Sequence, residues 1–319
     1  MSSAVLKLKR TLKEGAEALR HFGWSVASAQ VGCIWGDEAL KNVRKKNETI
    51  LAYLKHEYKD LLEQYSSAED PSEELLKSAE APVWVFWLQG KKEMPELIQM
   101  CQRSREAHAG KHPVIVLDRE NVRDYVTFPD EVWQRVTEGK LRVQHLADMV
   151  RVQLIRKYGG LWLDASIYCH REIPEEVFSY PVYSLKGDYM PQFVSGNRWT
   201  TFLIGGRPGN VLCSFLDDFF ASWMKKGKPF IDYFMFDCAI ALAYENIPAV
   251  KKEIDDLPKA EGDCYWLKER LSEPVSEELL QQFLQEPAVF YKIAWNKEWN
   301  SENESSLYHY LREKNESSL

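Results

Sequence analysis

Three short apolar runs, separated by stretches of helical length, constrain this chain more than any other feature. Val83-Trp84-Val85-Phe86-Trp87-Leu88 is continuously apolar and bounded by Pro82 and Gly90. Such a run reads as a strand buried on both faces. Val114-Ile115-Val116-Leu117 is a second such run, set off by His112-Pro113. Leu161-Trp162-Leu163 is a third, entered through Gly159-Gly160 and left at Asp164. Helical patterns fill the intervals at 95–109, 129–139 and 146–158. This β-α-β-α-β alternation predicts an α/β fold with a mostly parallel sheet. Strand-like segments follow at 182–185 and 202–204, then helices at 211–225 and 233–244, while the last 60 residues are weakly patterned.

The N-terminal 80 residues have a different texture and form a helical region of their own, with the main domain over 81–319. Residues 1–46 carry nine Lys/Arg against four Asp/Glu, so the remainder holds the acidic excess behind the net charge of −7. Leu6, Leu8, Leu12, Ala16 and Leu19 share a helix face beside Lys7, Lys9, Arg10 and Lys13. That pattern suits an anionic membrane surface and equally an ordinary surface helix. The stretch 47–65 reads as a further helix, and 66–80, polar and acidic around Asp70-Pro71, as a linker.

Several function classes are disfavoured. The negative net charge argues against general nucleic-acid binding. Six cysteines at 33, 101, 169, 213, 238 and 264 form no C-x-x-C pair, so we read them as reduced thiols of a cytosolic protein. No apolar stretch of 18 residues or secretory leader pattern is found, and the Asn47, Asn303 and Asn315 glycosylation triplets read as chance matches. Gly205-Gly206-Arg207-Pro208-Gly209 lacks the spacing of a phosphate loop and reads as a turn. Asp217 and Asp218 are helix neighbours that point apart, so they cannot flank one glycosidic bond. Metalloprotease and esterase signatures are missing, and His145 is expected behind or beside the site.

The stretch from His145 to Ser166 (HLADMVRVQLIRKYGGLWLDAS) carries the chemistry. Asp148 and Arg151, three apart, share a helix face. Asp164 follows a strand, where open α/β sheets bind their ligands. Arg151 offers a fork of donors to hydroxyls or phosphate. The alternative is an i,i+3 ion pair and a strand-ending carboxylate.

The string resembles the A-D-x-x-R…Y-G-G-x-W-x-D block of the capsular polysaccharide synthesis protein family. That family is related to sugar transferases that include the Och1-type mannosyltransferases and large clostridial toxins. Val83–Gly90 with Met94-Pro95, Pro113–Val126, Phe128-Pro129-Asp130, Trp199-Thr200-Thr201-Phe202 and Ile231-Asp232-Tyr233-Phe234…Asp237 extend the likeness over roughly 81–300.

The resemblance implies a GT-A fold with a Rossmann-type nucleotide-sugar-binding sheet. It implies hexose transfer from a nucleotide sugar, UDP-linked by expectation, with retention of configuration. The acceptor would be a lipid-linked saccharide of surface-polysaccharide synthesis at the inner face of the cell membrane. Asp148 and Arg151 would hold the donor sugar, and Trp87 and Gln89 would lie near the base. Asp164 and Ser166 fall on the D-x-D motif that binds Mn²⁺ or Mg²⁺. Serine in the second position is a weaker ligand for a hard cation than a carboxylate. Asp237 and Asp232 are the expected acceptor-side carboxylates. Trp199 and Thr201 fall beside them, and Trp295, Asn296 and Lys297 would close over the diphosphate. A catalytically silent sugar- or partner-binding protein on the same fold is the main rival; a glycan hydrolase is a more distant one.

Overall fold

A computed structural model describes residues 3–35, 39–71, 81–294 and 304–316. The helices are α1 Ser3–Phe22, α2 Trp24–Trp35, α3 Ala39–Glu57, α4 Lys59–Tyr65, α5 Glu96–His108, α6 Val122–Tyr125, α7 Asp130–Thr137 and α8 Val143–Tyr158. Beyond the strand region come α9 Val211–Lys225, α10 Met235–Asn246, α11 Pro248–Asp256, α12 Trp266–Arg270, α13 Glu277–Gln285 and α14 Leu307–Glu316. The strands are β1 Val83–Phe86, β2 Val114–Leu117, β3 Gly160–Leu163, β4 Ile167–Cys169, β5 Val182–Ser184, β6 Leu203–Gly206 and β7 Phe290–Lys292.

The main sheet has the order β2-β1-β3-β6-β5. Strands β2, β1 and β3 are parallel, as the alternation predicts. Strand β6 runs antiparallel to both β3 and β5, so the sheet is mixed. A buried strand is apolar whichever way it runs, which is why sequence alone did not reveal this reversal. Strands β1, β3 and β6 are buried at every position. Gly205 and Gly206 lie within β6 and not in a turn. A Cβ on Gly206 would stand 2.4 Å from the Pro181 carbonyl oxygen, and one on Gly205 2.8 Å from that of Gly160. Glycine there permits close strand approach, and the turn begins only at Arg207.

The junction of α8 and β3 delivers Asp164. Gly159 closes α8 with φ 68° and its N–H donates to Ile155 O. Gly160 has φ 99°, and a Cβ on it would meet the Pro82 carbonyl at 2.2 Å. Both positions therefore exclude a side chain on conformational and steric grounds. The Trp84 indole N–H donates to Gly159 O at 2.8 Å and locks the corner to β1.

The N-terminal helices share the main core. Phe22, Ile50, Leu54, Tyr58 and Leu62 are buried with Phe215, Phe219 and Trp223 of α9 in one cluster. Tyr58 packs on Phe219 with ring centres 4.4 Å apart, and Phe22 stacks on Trp223 at 6.0 Å. The expected helix at 47–65 is broken at Tyr58 into α3 and α4. Most of the expected linker, 72–80, lies outside the described residues. All six cysteines are free. No described helix is long and apolar enough to cross a membrane.

Candidate functional site

The chain crosses from β1 to β2 on one side and reaches β3 on the other. The sheet therefore has its topological switch between β1 and β3, where ligands of open α/β sheets bind. Asp164 follows β3 directly, and Trp87 and Gln89 follow β1, on the same carboxyl edge. Trp87 is half-buried and Gln89 exposed.

Helix α8 supplies the next two groups. Arg151 Nη2 lies 3.0 Å from Asp148 Oδ1 and 3.6 Å from Asp164 Oδ1. Arg151 Nη1 donates to the Thr201 carbonyl, and its guanidinium lies over the rings of Trp162 (4.9 Å) and Phe236 (5.1 Å). A planar fork suits this bridging position, and a lysine could not serve it. Asp148 and Arg151 side chains are 12% and 7% exposed, whereas Asp164 is 29% exposed and so reachable by a ligand. Burial works to raise the Asp164 pKa. The Lys292 and Arg151 charges, with hydrogen bonds from Lys292 and Trp162, overcome that and hold it below the ordinary value.

Asp237 enters from α10 and accepts from Trp199 Nε1 at 3.2 Å. Burial, followed by the nearby Asp148 charge, pushes its carboxyl up to about 7. A carboxyl titrating there suits proton transfer near neutral pH. Trp199 is 2% exposed, so it anchors Asp237 and offers no open stacking face. Thr201 contributes its backbone carbonyl to Arg151. Asp232 is already engaged: Lys46 of α3 binds its Oδ2 at 2.8 Å, and its Oδ1 accepts the Phe234 N–H, while its charge adds to the rise in the Asp237 pKa. Trp295, Asn296 and Lys297 lie outside the described residues.

Three participants were not singled out from sequence. Lys292 Nζ sits 2.7 Å from Asp164 Oδ2. It is the lone charge in the apolar run Val289–Ala294, a signal that sequence reading could have used. Arg105 is 0% exposed and donates from Nη1 to Ala165 O (2.8 Å) and Ile167 O (2.7 Å), clamping the turn after Asp164 from below. The exposed Tyr233 has its phenol pKa raised by burial and by the Asp148 and Asp164 charges, which places it at the rim. Its ring centre is 6.1 Å from that of His145. His145 is buried, stacks on Phe230 at 4.1 Å, and holds Nδ1 3.5 Å from Asp148 Oδ2.

The expected Mn²⁺ or Mg²⁺ meets an unsuitable donor set. Asp164 Oδ1 accepts from the Trp162 indole at 3.0 Å and faces Arg151, while Oδ2 is held by Lys292. Ser166 replaces the second carboxylate and is buried. Among the described residues no three His, Cys, Asp or Glu side chains converge as a metal site. A divalent ion here would face the Arg151 and Lys292 charges and a carboxylate already engaged by both, so these residues do not fit it.

The curated protein O-glycosyltransferase braB of Annulohypoxylon truncatum is 30% identical over 158 residues, covering 47% of this chain and 34% of its own length. The chain thus spans about a third of that relative. The solved structure PaToxG Glycosyltransferase aligns over 87% of this chain and 98% of its own, at 12% identity and a TM-score of 0.38. The family model for capsular polysaccharide synthesis proteins matches residues 33–311, which takes in α3 and α4 as well as the sheet and leaves out α1 and nearly all of α2. With that extent of match, the chain belongs to the capsular polysaccharide synthesis protein family.

Proposed function

We propose that this protein is a glycosyltransferase that moves a hexose from a nucleotide sugar, UDP-linked in our reading, to a saccharide acceptor in surface-polysaccharide synthesis. The observation that carries the proposal is the Asp148–Arg151–Asp164 constellation in the β1/β3 crevice of a chain from this family. A sugar ring needs paired acceptors and donors to orient its anomeric carbon, and two carboxylates bridged by one guanidinium supply both. The loop after β1, with Trp87 and Gln89, offers a surface for the base. Nucleotide-sugar sheets of GT-A type place their donor at this edge, and we assign that fold type here.

In the transfer, the bond from the anomeric carbon to the diphosphate oxygen breaks and its electron pair leaves with the diphosphate. The acceptor hydroxyl oxygen bonds the same carbon and loses its proton. Asp237 is the carboxylate we assign to the acceptor side, since its carboxyl titrates near 7. Asp232 we assign a structural role, because Lys46 already neutralises it. Retention of configuration would follow if the diphosphate leaves and the acceptor arrives on one face. The acceptor would rest on the exposed rings of Tyr233 and Phe234, 52% and 53% accessible, in place of the buried Trp199.

A membrane-facing acceptor fits the first helices. Leu12, Leu19 and Trp24 are 64%, 46% and 74% exposed, near Lys9, Lys13 and Arg20. We take this face to rest on an anionic lipid surface.

The test is thermal unfolding with UDP, GDP and their sugars, followed by sugar release. A ligand at ~100 times its Kd stabilises by roughly 2.7 kcal/mol, a rise of several degrees in Tm. Release of free sugar from one donor, lost in Asp164→Ala and Asp148→Ala, is the expected outcome. Binding of a saccharide with no nucleotide-dependent shift and no sugar release would instead favour the silent sugar-binding rival.

A further inference from the structure

We propose that Lys292 is the diphosphate-binding cation of this site and stands where a divalent ion would otherwise be needed. This rests on the nucleotide-sugar reading above. Lys292 is built into position and does not simply reach in from the surface. Strand β7 pairs antiparallel with β4 so that Lys292 lies opposite Ile167, three residues beyond Asp164. The flanking backbone is tied on both sides: Lys292 N–H donates to Cys264 O at 2.7 Å, and Ile293 N–H donates to Ser166 O at 3.0 Å. The ammonium sits 5.2 Å from the Phe202 ring centre. It remains 24% exposed beside a 29% exposed Asp164, so a ligand entering the crevice meets both.

The charge count points the same way. Without a ligand, Asp148 and Asp164 are matched by Arg151 and Lys292. Beneath them, Arg105 carries a further positive charge, hydrogen-bonded to Gln102 Oε1 and the Ala165 and Ile167 carbonyls. An incoming diphosphate meets Arg151 and Lys292 at the crevice, with Arg105 behind them. A lysine is a compact point charge with three donors on a flexible stem, well suited to non-bridging phosphate oxygens. Lys292 would leave Asp164 Oδ2 for the diphosphate, freeing that oxygen to accept from a donor-sugar hydroxyl. As the anomeric C–O bond breaks, the electron pair arrives on an oxygen facing Lys292 and Arg151, and Lys292 keeps its proton throughout. Ser166 in place of a second aspartate follows from the same logic, since another carboxylate would compete with the diphosphate for this ammonium.

The experiment compares nucleoside diphosphate and monophosphate binding, UDP with UMP and GDP with GMP, by titration calorimetry of the full chain. Each is measured in EDTA and in Mn²⁺, for wild type, Lys292→Gln and Lys292→Arg. The expected result is at least a tenfold preference for diphosphate over monophosphate that persists in EDTA. Lys292→Gln should erase that preference with monophosphate affinity unchanged, and Lys292→Arg should keep most of it. The proposal is overturned if wild-type diphosphate affinity falls tenfold or more in EDTA, a result that needs no variant to fold. It is also overturned if folded Lys292→Gln, checked by its melting temperature, retains the wild-type preference. Failure of every nucleotide to bind under any condition would sink the nucleotide-sugar reading itself, which is a separate and recognisable outcome.

Discussion

Arg105 offers a quantitative test of how the site is held, because it touches the site only through the backbone. Its guanidinium is fully buried, with two bonds to Gln102 Oε1 and two to the carbonyls of Ala165 and Ile167. Arg105→Met fills similar volume but leaves three acceptors without this donor. Each orphaned buried acceptor costs about 1–3 kcal/mol. Relief from burying a charge without a carboxylate partner offsets part of that. The net loss should be about 3 kcal/mol, which for a chain of this size lowers Tm by roughly 4–6 °C. Arg105→Lys should fall between, since one ammonium cannot span both carbonyls and the amide. The turn Asp164–Ile167 should also loosen, so diphosphate affinity should fall although no ligand can reach Arg105. Scanning calorimetry and nucleotide titration of the three proteins check both effects. A Tm change under about 2 °C with unchanged affinity would refute the reasoning.

Four further outcomes follow. Asp237 has a folded pKa of about 7 against an ordinary 3.8, so the fold favours its protonated form and loses stability as pH rises from about 4 to 7. Asp237→Asn should therefore melt higher than wild type at pH 8, by ~2–4 kcal/mol, with the gap closing toward pH 4, while sugar transfer falls at least ~100-fold. Glu253 of α11 is raised to about 9 by burial and by its hydrogen bond to Asp70, so Glu253→Gln should stabilise by ~1–2 kcal/mol at pH 8 and by nothing at pH 4, read from denaturant midpoints. Arg151→Lys should weaken donor binding at least ~10-fold in calorimetry, because one ammonium cannot span Asp148, Asp164 and the Thr201 carbonyl. Leu12→Ser/Trp24→Ser should reduce sedimentation with anionic vesicles and leave nucleotide binding intact; equal sedimentation would remove the membrane assignment.

The legible part of this molecule was the part encoded locally. Strands β1, β2 and β3 and the helices between them announce themselves by unbroken apolar runs and helical spacing. Asp148, Arg151 and Asp164 come together because one helix, two glycines and one short strand connect them. The partner of Lys292 was not legible for the opposite reason: this lone charge in an apolar run meets Asp164 across 128 residues, through the register of a three-residue strand. Arg105 gave no sign either, since one arginine in a charged helix looks solvent-facing until the helix packs against β4. Trp199 was legible only as part of a motif; packing turns its ring inward and leaves the exposed surface to Tyr233 and Phe234. The Lys46 contact of Asp232 was not legible, because Lys46 lies in a region whose sequence looks separable.

That last contact bears on how the protein can be handled. A version trimmed at residue 81 would keep every strand and every charged group at the switch point. It would also strip the cover from Phe219 and Trp223, creating an adhesive aromatic patch that invites precipitation during expression. The same cut would remove Lys46 and Gln30, which hold Asp232 and the Ile231 carbonyl, and so unmoor the loop that presents Tyr233 and Phe234. The trimmed protein, if recovered, should bind nucleotide better than it binds acceptor.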